Sequence, residues 1–377
     1  MENIPPVTNA LSGKSAGLLK INTAILNAAI ISFLVFINII KEFELFFGVN
    51  SAFINAINIF VVLLLLFLSG MKLSERLYPL FLIAIIILFS TFLNASNIDQ
   101  GGLNTLIMSI AALVLLSIKI NLDEKYFSIF LYFLSLFLLA VSYYFYFTKS
   151  QIIAPHLSFI LSGPFGNQNT LAMSFTTLAI LHSVFSKKTK IFYAILAILA
   201  FSVFLTQSRA GILIMVSLII WIVRRNGFLF SSFIILFSSI FIVQMRVFER
   251  LIFRILEAGS AGRTEFWIEA IERQASSLSD FLFGFGVGVY KIGLFETTMS
   301  VHNSFLNFQL NYGILALILL VFWLFYEALF SIRNAHVRVA FFLILAYGFV
   351  ETVLFSGFGI LYISLIIIII SQAKAKA

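Results

Sequence analysis

The chain lacks cysteine and has little charge. With no thiol among 377 residues, disulfides, thiolate nucleophiles and thiolate metal sites are excluded. Asp, Glu, Lys and Arg make up 11% of the chain against 61% hydrophobic residues, far from the roughly 25% charged and 45–50% apolar balance of soluble domains. Soluble binding modules are thereby excluded, and the composition is that of a polytopic membrane protein. The net charge of +8 would suggest nucleic acid in a soluble domain. Here the Lys and Arg residues fall in short connections between apolar runs, which is a topology signal, so no nucleic-acid partner is expected. No internal repeat or low-complexity tract stands out. No His, Asp and Glu cluster has metal-ligand spacing and no paired acidic motif is visible, so no metal or cofactor is expected. Residues 1–17 are polar and no small-residue cleavage site follows them, so the first apolar run is expected to be retained.

A membrane span needs about 20 apolar residues, with roughly 17–25 tolerated. Twelve runs approach that length: about 19–40, 51–69, 77–93, 103–120, 126–147, 168–185, 189–206, 210–223, 227–244, 304–330, 337–355 and 357–370. Pro79 falls in the first turn of the third, where its missing N–H does no harm. The expected fold is all-α, a bundle of about twelve transmembrane helices. Residues 1–18 form a cytoplasmic or interfacial tail and 19–377 the membrane domain.

Orientation follows from the positive residues. With the N-terminus inside, fifteen Lys and Arg residues fall in inner connections and tails, among them Lys72, Arg76, Arg224, Arg225, Arg333 and Arg338. The short outer connections hold only Lys41, Lys149 and Arg209. The split predicts both ends in the cytoplasm. It places residues 245–303, the only long polar interval, outside. A transporter of two related halves would more often show internal symmetry and a central cytoplasmic connection. Within the interval, Arg246, Arg250 and Arg254 share one helical face beside apolar positions, as in a basic helix lying at lipid headgroups. Arg263 to Gln274 reads as a second short helix, and the Gly-rich Phe281 to Tyr290 as irregular.

Four polar clusters reach the outer boundary: Gly163-Pro164-Phe165-Gly166-Asn167-Gln168-Asn169, Thr206-Gln207-Ser208-Arg209-Ala210-Gly211, Gly262-Arg263-Thr264-Glu265-Phe266-Trp267 and Val301-His302-Asn303-Ser304. Three of them open helices that descend into the membrane, so backbone N–H groups and the positive dipole end face outward. Such ends favour anions, and Arg209 and Arg263 add full charge and a planar fork suited to phosphate oxygens. Singly, each Arg reads equally as a residue reaching for headgroups and each Asn or Ser as a cap. His302 closes the polar interval and opens a helix. Both the helix end and nearby Arg charges disfavour imidazolium, which leaves a neutral ring able to accept a proton, or a structural cap. His156 precedes the Asn cluster without a matching partner, and His182 and His336 read as structural. Glu351, near the outer end of a span, is a functional candidate because ionisable groups at that depth are costly; pairing with an Arg of the interval above it is the plainer role. Gly284-x-Gly286-x-Gly288 looks superficially like a nucleotide loop, but no strand–helix unit surrounds it.

In order along the chain, Gly-Pro-Phe-Gly-Asn-Gln-Asn at 163–169, Gln-Ser-Arg-Ala-Gly at 207–211, Gly-Arg-x-x-x-Trp at 262–267, Gly-Phe-Gly-Val-Gly at 284–288, His-Asn-Ser-Phe-Leu at 302–306 and Tyr-Gly-Ile-Leu at 312–315 resemble the bacterial O-antigen ligase/polymerase superfamily. The match spans roughly residues 160–325. The resemblance implies a metal-independent glycosyltransferase of the bacterial inner membrane, taking a glycan from an undecaprenyl diphosphate carrier on the periplasmic face. It implies Arg209 and Arg263 at the diphosphate and His302 near the acceptor hydroxyl. Asn167, Asn169, Arg246, Arg250, Asn303 and Glu351 complete the expected substrate-binding set. The implied partners are the carrier-linked glycan, an acceptor glycolipid, membrane lipids and a chain-length regulator. A polymerase would extend another carrier-linked repeat, whereas a ligase would deliver the chain to lipid A core. From a different class, a flippase or transporter would place its key charges near the bilayer midplane.

Overall fold

The computed structural model describes residues 10–41, 43, 51–70, 72–74, 76–95, 100–148, 160–165, 167–224, 263–287, 292–294, 297–299, 303–351 and 360–371. Along them run α1 (Ala10–Lys41), α2 (Ser51–Leu68), α3 (Leu77–Leu93), α4 (Gln100–Ser117), α5 (Glu124–Phe147), α6 (Gln168–Phe185), α7 (Lys190–Leu205) and α8 (Arg209–Val223). After the segment expected to hold the basic helix come α9 (Arg263–Ala275), α10 (Leu278–Phe283) and a hairpin of β1 (Ile292–Leu294) and β2 (Thr297–Met299). The hairpin is antiparallel, with Ile292 opposite Met299 and Leu294 opposite Thr297. Then follow α11 (Ser304–Tyr326) with a π-helical turn at Glu327–Ser331, α12 (Ala335–Gly348) and α13 (Ile360–Ser371). Among the described residues, the regular structure apart from the three-residue strands and one isolated bridge between Leu73 and Ile118 is helical.

Three helical segments, Thr23–Lys41, Glu124–Phe147 and Ser304–Ser331, are long and apolar enough to cross a membrane; seven further apolar helices among the described residues are shorter. Apolar helices suit lipid because they satisfy every backbone N–H and C=O within the segment. Their outward faces agree with that setting. Phe81, Phe92, Phe133, Phe147, Phe322 and Phe330 are exposed on α3, α5 and the α11 region, a density of bare aromatic surface that a water-facing monomer does not keep.

The centre of the bundle is α6. It packs against α5, α7, α8, α12 and α13, and its residues from Leu171 to His182 are all buried. The sequence prepares it for this place: Ala172, Ser174, Thr176, Thr177 and Ala179 are small, so neighbouring backbones approach closely. His182 sits within the core as a bridge, its Nε2 3.0 Å from Ser135 Oγ and its Nδ1 2.8 Å from Ser186 Oγ. Asn38 and Asn58 join α1 to α2 through reciprocal amide bonds of 2.9 and 3.1 Å.

The contacts between connections fall into two sets. At one end, Ser74 N–H donates to Ser117 C=O and Lys119 N–H to Lys72 C=O, while Asp123 N–H donates to Ala24 C=O. Trp221 Nε1–H donates to His336 Nδ1 there, and Arg76 pairs with Glu327 at 2.8 Å. At the other end, Leu161 N–H donates to Leu205 C=O, Ser304 Oγ–H donates to Glu351 C=O, and Phe43 meets Phe165 edge-on at 4.9 Å. Each contact joins connections that the charge pattern assigns to the same side.

α1 runs unbroken from Ala10, so the helix that carries the first apolar run begins before it. Three expectations change. The last of α10, Phe281–Phe283, is helical where an irregular run was expected. α12 ends at Gly348 rather than continuing to 355. α11 is not one rod, because Gly313 interrupts it with φ 83° and ψ 172°. The expected span at 227–244 and the basic helix carrying Arg246 and Arg250 lie outside the described residues.

Candidate functional site

The second end of the bundle gathers the start of α6, the start of α8, the start of α11 and the end of α12. Asn167 caps α6, its Oδ1 accepting the Asn169 N–H at 2.8 Å. Before it, Ile160 to Phe165 are buried. Gly163 takes φ +57° close against α5, where an added Cβ would lie 2.9 Å from Ser142 Oγ. The Gly-Pro-Phe part of the cluster is thus a structural wedge, and the exposed Asn167 is the part that faces outward.

The turn between α7 and α8 is tighter and drier. Thr206, Gln207 and Ser208 are all buried. Thr206 Oγ–H donates to Val203 C=O at 2.6 Å and its oxygen accepts Ser208 N–H at 3.2 Å. Ser208 caps α8 by accepting Gly211 N–H at 3.4 Å. Gln207 holds φ +56°, a left-handed conformation that costs a side-chain-bearing residue about 1–2 kcal/mol. Arg209 is the first residue of α8 and is half-buried, so its guanidinium and the N-terminal N–H groups occupy one end of one helix.

Gly211 fixes how this turn meets its neighbours. A Cβ there would lie 2.9 Å from Ala172 Cβ of α6, 3.2 Å from Val203 Cγ1 of α7 and 3.3 Å from the Tyr347 hydroxyl of α12. Tyr347 is fully buried beside Ser208, with Glu351 one turn further along the chain and within electrostatic reach. Glu351 in turn offers its backbone carbonyl to Ser304 Oγ. The neighbouring Asn303 caps α11, its Oδ1 accepting Phe305 and Leu306 N–H at 3.0 Å each. A continuous set of contacts therefore runs from α6 through Gly211, Tyr347 and Glu351 to the start of α11.

The Gly-rich segment is explained by the break in α11. Past Tyr312 the helix can no longer satisfy its own carbonyls, and the chain after α10 supplies the donors: Phe285 N–H to Leu310 C=O at 2.8 Å and Gly286 N–H to Asn311 C=O at 3.1 Å. Gly284 (φ 80°, ψ 177°) and Gly313 (φ 83°, ψ 172°) lie in a backbone region almost restricted to glycine. They also face each other's chains. A Cβ on Gly284 would lie 2.5 Å from Asn311 C=O, and one on Gly313 would lie 2.1 Å from Leu282 C=O. Ser90 Oγ on α3 donates to Phe283 C=O and is 3.1 Å from Asn311 C=O, while Asn94 Nδ2 donates to Gly284 C=O at 3.3 Å. The glycines serve a backbone interlock, and nothing in this arrangement calls for a nucleotide.

α9 is fastened to the same half-helix. Gln274 Nε2 donates to Gln309 C=O at 2.9 Å and to Asp280 C=O at 3.1 Å, and Gln309 Nε2 donates to Gln274 Oε1 at 3.0 Å. Ala270 packs with Leu306 and Leu310, flanked by Trp267 and Phe285. Arg263 therefore opens a helix that packs on the first turns of α11, as the short helix expected from Arg263 to Gln274 implies.

Of the expected site residues, the structure places Arg209 at the start of α8, Asn303 at the start of α11 and Glu351 just past α12, the elements this set of contacts joins, with Asn167 and Asn169 opening α6, the helix that Gly211 packs against. His302, Arg246 and Arg250 lie outside the described residues. Asn167 and Asn303 use their amide oxygens as helix caps, the plainer of the two roles open to them, which leaves the amide N–H2 groups as their means of meeting a ligand. Among the described residues there is no group of three or more His, Asp or Glu arranged to hold a metal. Tyr347 and the backbone of Gln207 were not singled out from sequence; a tyrosine inside an apolar run carries no local signal. Scans against models of known protein families and against curated proteins find no match to this chain.

Proposed function

We propose that the chain is a membrane glycosyltransferase that moves an oligosaccharide from a polyprenyl diphosphate to an acceptor sugar on the outer face, as a surface-polysaccharide polymerase. The observation that carries the reading is the convergence of the α8 and α11 N-termini, with Arg209 at the first and Asn303 at the second, around Tyr347 and Glu351. The reading includes a twelve-span topology with both ends cytoplasmic and residues 245–303 outside. The interlock of the motifs at 284–288 and 312–315 adds support, since two segments of the resemblance prove to be one structural unit.

In the proposed reaction the acceptor hydroxyl oxygen bonds to the anomeric carbon as the bond from that carbon to the phosphate oxygen breaks. The electron pair leaves on the diphosphate, and the hydroxyl proton passes to the neutral His302 ring. Charge gathers on the diphosphate as the bond lengthens, so preplaced Arg209 and Arg263 act mostly on the transition state. Glu351 and the amides of Asn167, Asn169 and Asn303 would hold sugar hydroxyls. Arg246 and Arg250 would hold the carrier at the headgroup layer.

The test is the lipid-linked and surface glycan profile of a deletion strain complemented with Arg209→Ala, Arg263→Ala or His302→Ala. Single-repeat caps on the acceptor lipid indicate a polymerase, and long chains accumulating on the carrier indicate a ligase. A deletion strain with an unaltered profile overturns the proposal. Full complementation by both Arg variants removes the diphosphate assignment.

A further inference from the structure

We infer that Gln207 and Tyr347 are binding residues for the carrier diphosphate, donating hydrogen bonds to its phosphate oxygens beside Arg209; the inference rests on the reading just given. Gln207 is 3% exposed and its Nε2 has no hydrogen-bond partner among the described residues; Tyr347 is fully buried, and its hydroxyl faces the side chain of the cap residue Ser208 without a well-formed hydrogen bond. A buried donor left unmade costs about 1–3 kcal/mol, and both groups flank the cap of one helix. Gln207 immediately precedes the cap residue Ser208, and the Tyr347 hydroxyl comes within 3.3 Å of the Cβ position on Gly211 in the first turn.

The chemistry of the orphaned groups selects the ligand. An amide N–H2 and a phenol O–H both donate, the α8 N-terminus presents further N–H donors, and Arg209 supplies positive charge at the same end. A guest rich in acceptors and negative charge satisfies all of them, as the oxygens of a diphosphate do. Glu351, which also faces Tyr347, opposes an anion. Neutral donors add affinity here without creating a further cation for that carboxylate to capture. The left-handed backbone at Gln207 sets where its side chain leaves the turn, and a glycine at this position keeps that backbone while deleting the amide.

The experiment uses the full chain in detergent micelles, with undecaprenyl diphosphate lacking a glycan as the probe and the ligand-dependent rise in thermal midpoint as the readout. Gln207→Gly and Tyr347→Phe should each keep the ligand-free midpoint close to wild type and weaken binding about tenfold or more, the loss of one hydrogen bond to a charged group. Inorganic pyrophosphate should bind more weakly than the lipid but rank the variants in the same order. Binding unchanged in both variants, with Arg209→Ala still impaired, overturns the inference and leaves the functional reading standing; this is also the result if trapped water satisfies both donors. No binding of the probe to wild-type protein overturns both. Equal protection of wild type by phosphatidylglycerol identifies an ordinary lipid headgroup as the occupant and likewise overturns the inference.

Discussion

Gly313→Ala asks a single methyl group to occupy a position 2.1 Å from the Leu282 carbonyl oxygen and 2.5 Å from the Phe283 nitrogen. Both obstacles are backbone, so no rotamer change relieves them. If the backbone at 313 stays as it is, the glycine-only conformation alone costs alanine about 1–3 kcal/mol. Moving the 282–286 segment away releases the bonds from Phe285 and Gly286 to Leu310 and Asn311, worth about 0.5–1.5 kcal/mol each and more if the carbonyls stay dry. The combined loss is about 4 kcal/mol. At the usual unfolding entropy per residue, that lowers the thermal midpoint of a 377-residue chain by about 5 °C. Hydrogen exchange supplies the local readout, because the Phe285 and Gly286 amides should lose their protection while α6 keeps its own. A variant with an unchanged midpoint and both amides still protected would falsify the interlock.

The ion pair at the opposite end gives a second prediction. Glu327 is 1% exposed and Arg76 12%, and removing one partner of such a pair costs about 3–5 kcal/mol. Glu327→Leu and Arg76→Leu should each lower the thermal midpoint strongly while the double variant recovers much of the loss; additive losses refute a coupled pair. For topology, a reporter fused after residue 275 should be outside the cytoplasm. One inserted after Gly70, around which a Cβ would meet nothing within 4 Å, should be cytoplasmic, and the reverse pattern inverts the assignment.

Helix positions were legible because apolar runs in a chain with so little charge have few alternatives. Lys and Arg mark the connections loop by loop, and contacts such as Lys119 to Lys72 and Leu161 to Leu205 join connections that this pattern groups together. The capping roles of Asn167, Ser208 and Asn303 also followed from residue type and position. What could not be read was pairing across long separations. Gly284 and Gly313 each look like an isolated flexible residue, and only their juxtaposition shows that each is required by the other's chain. Tyr347 offers even less: its hydroxyl becomes informative only when Gly211 lets α8, with Ser208 at its start, approach it.

The two halves of α11 consequently have different anchors. α11 runs antiparallel to α3, with Ser90 at Asn311 just before the break and Arg76 at Glu327 just past the far end. Before Gly313 the half-helix is held by α9 through the Gln274–Gln309 bonds, by the Phe285 and Gly286 amides, and at its tip by Ser304 on Glu351. The bundle holds the same half-helix as well, through Ser90 at Asn311 C=O, Ser109 Oγ 3.2 Å from the Tyr312 hydroxyl and Phe305 stacked on Phe349. The position of Asn303 is therefore set by the polar interval as well as by the bundle helices. If the proposed transfer is this chain's activity, substitutions at Gly284 and Gly286 should impair it through misplacement of the α11 tip, even though neither glycine directs a side chain at a substrate; a glycan profile unaltered by Gly284→Ala would refute that.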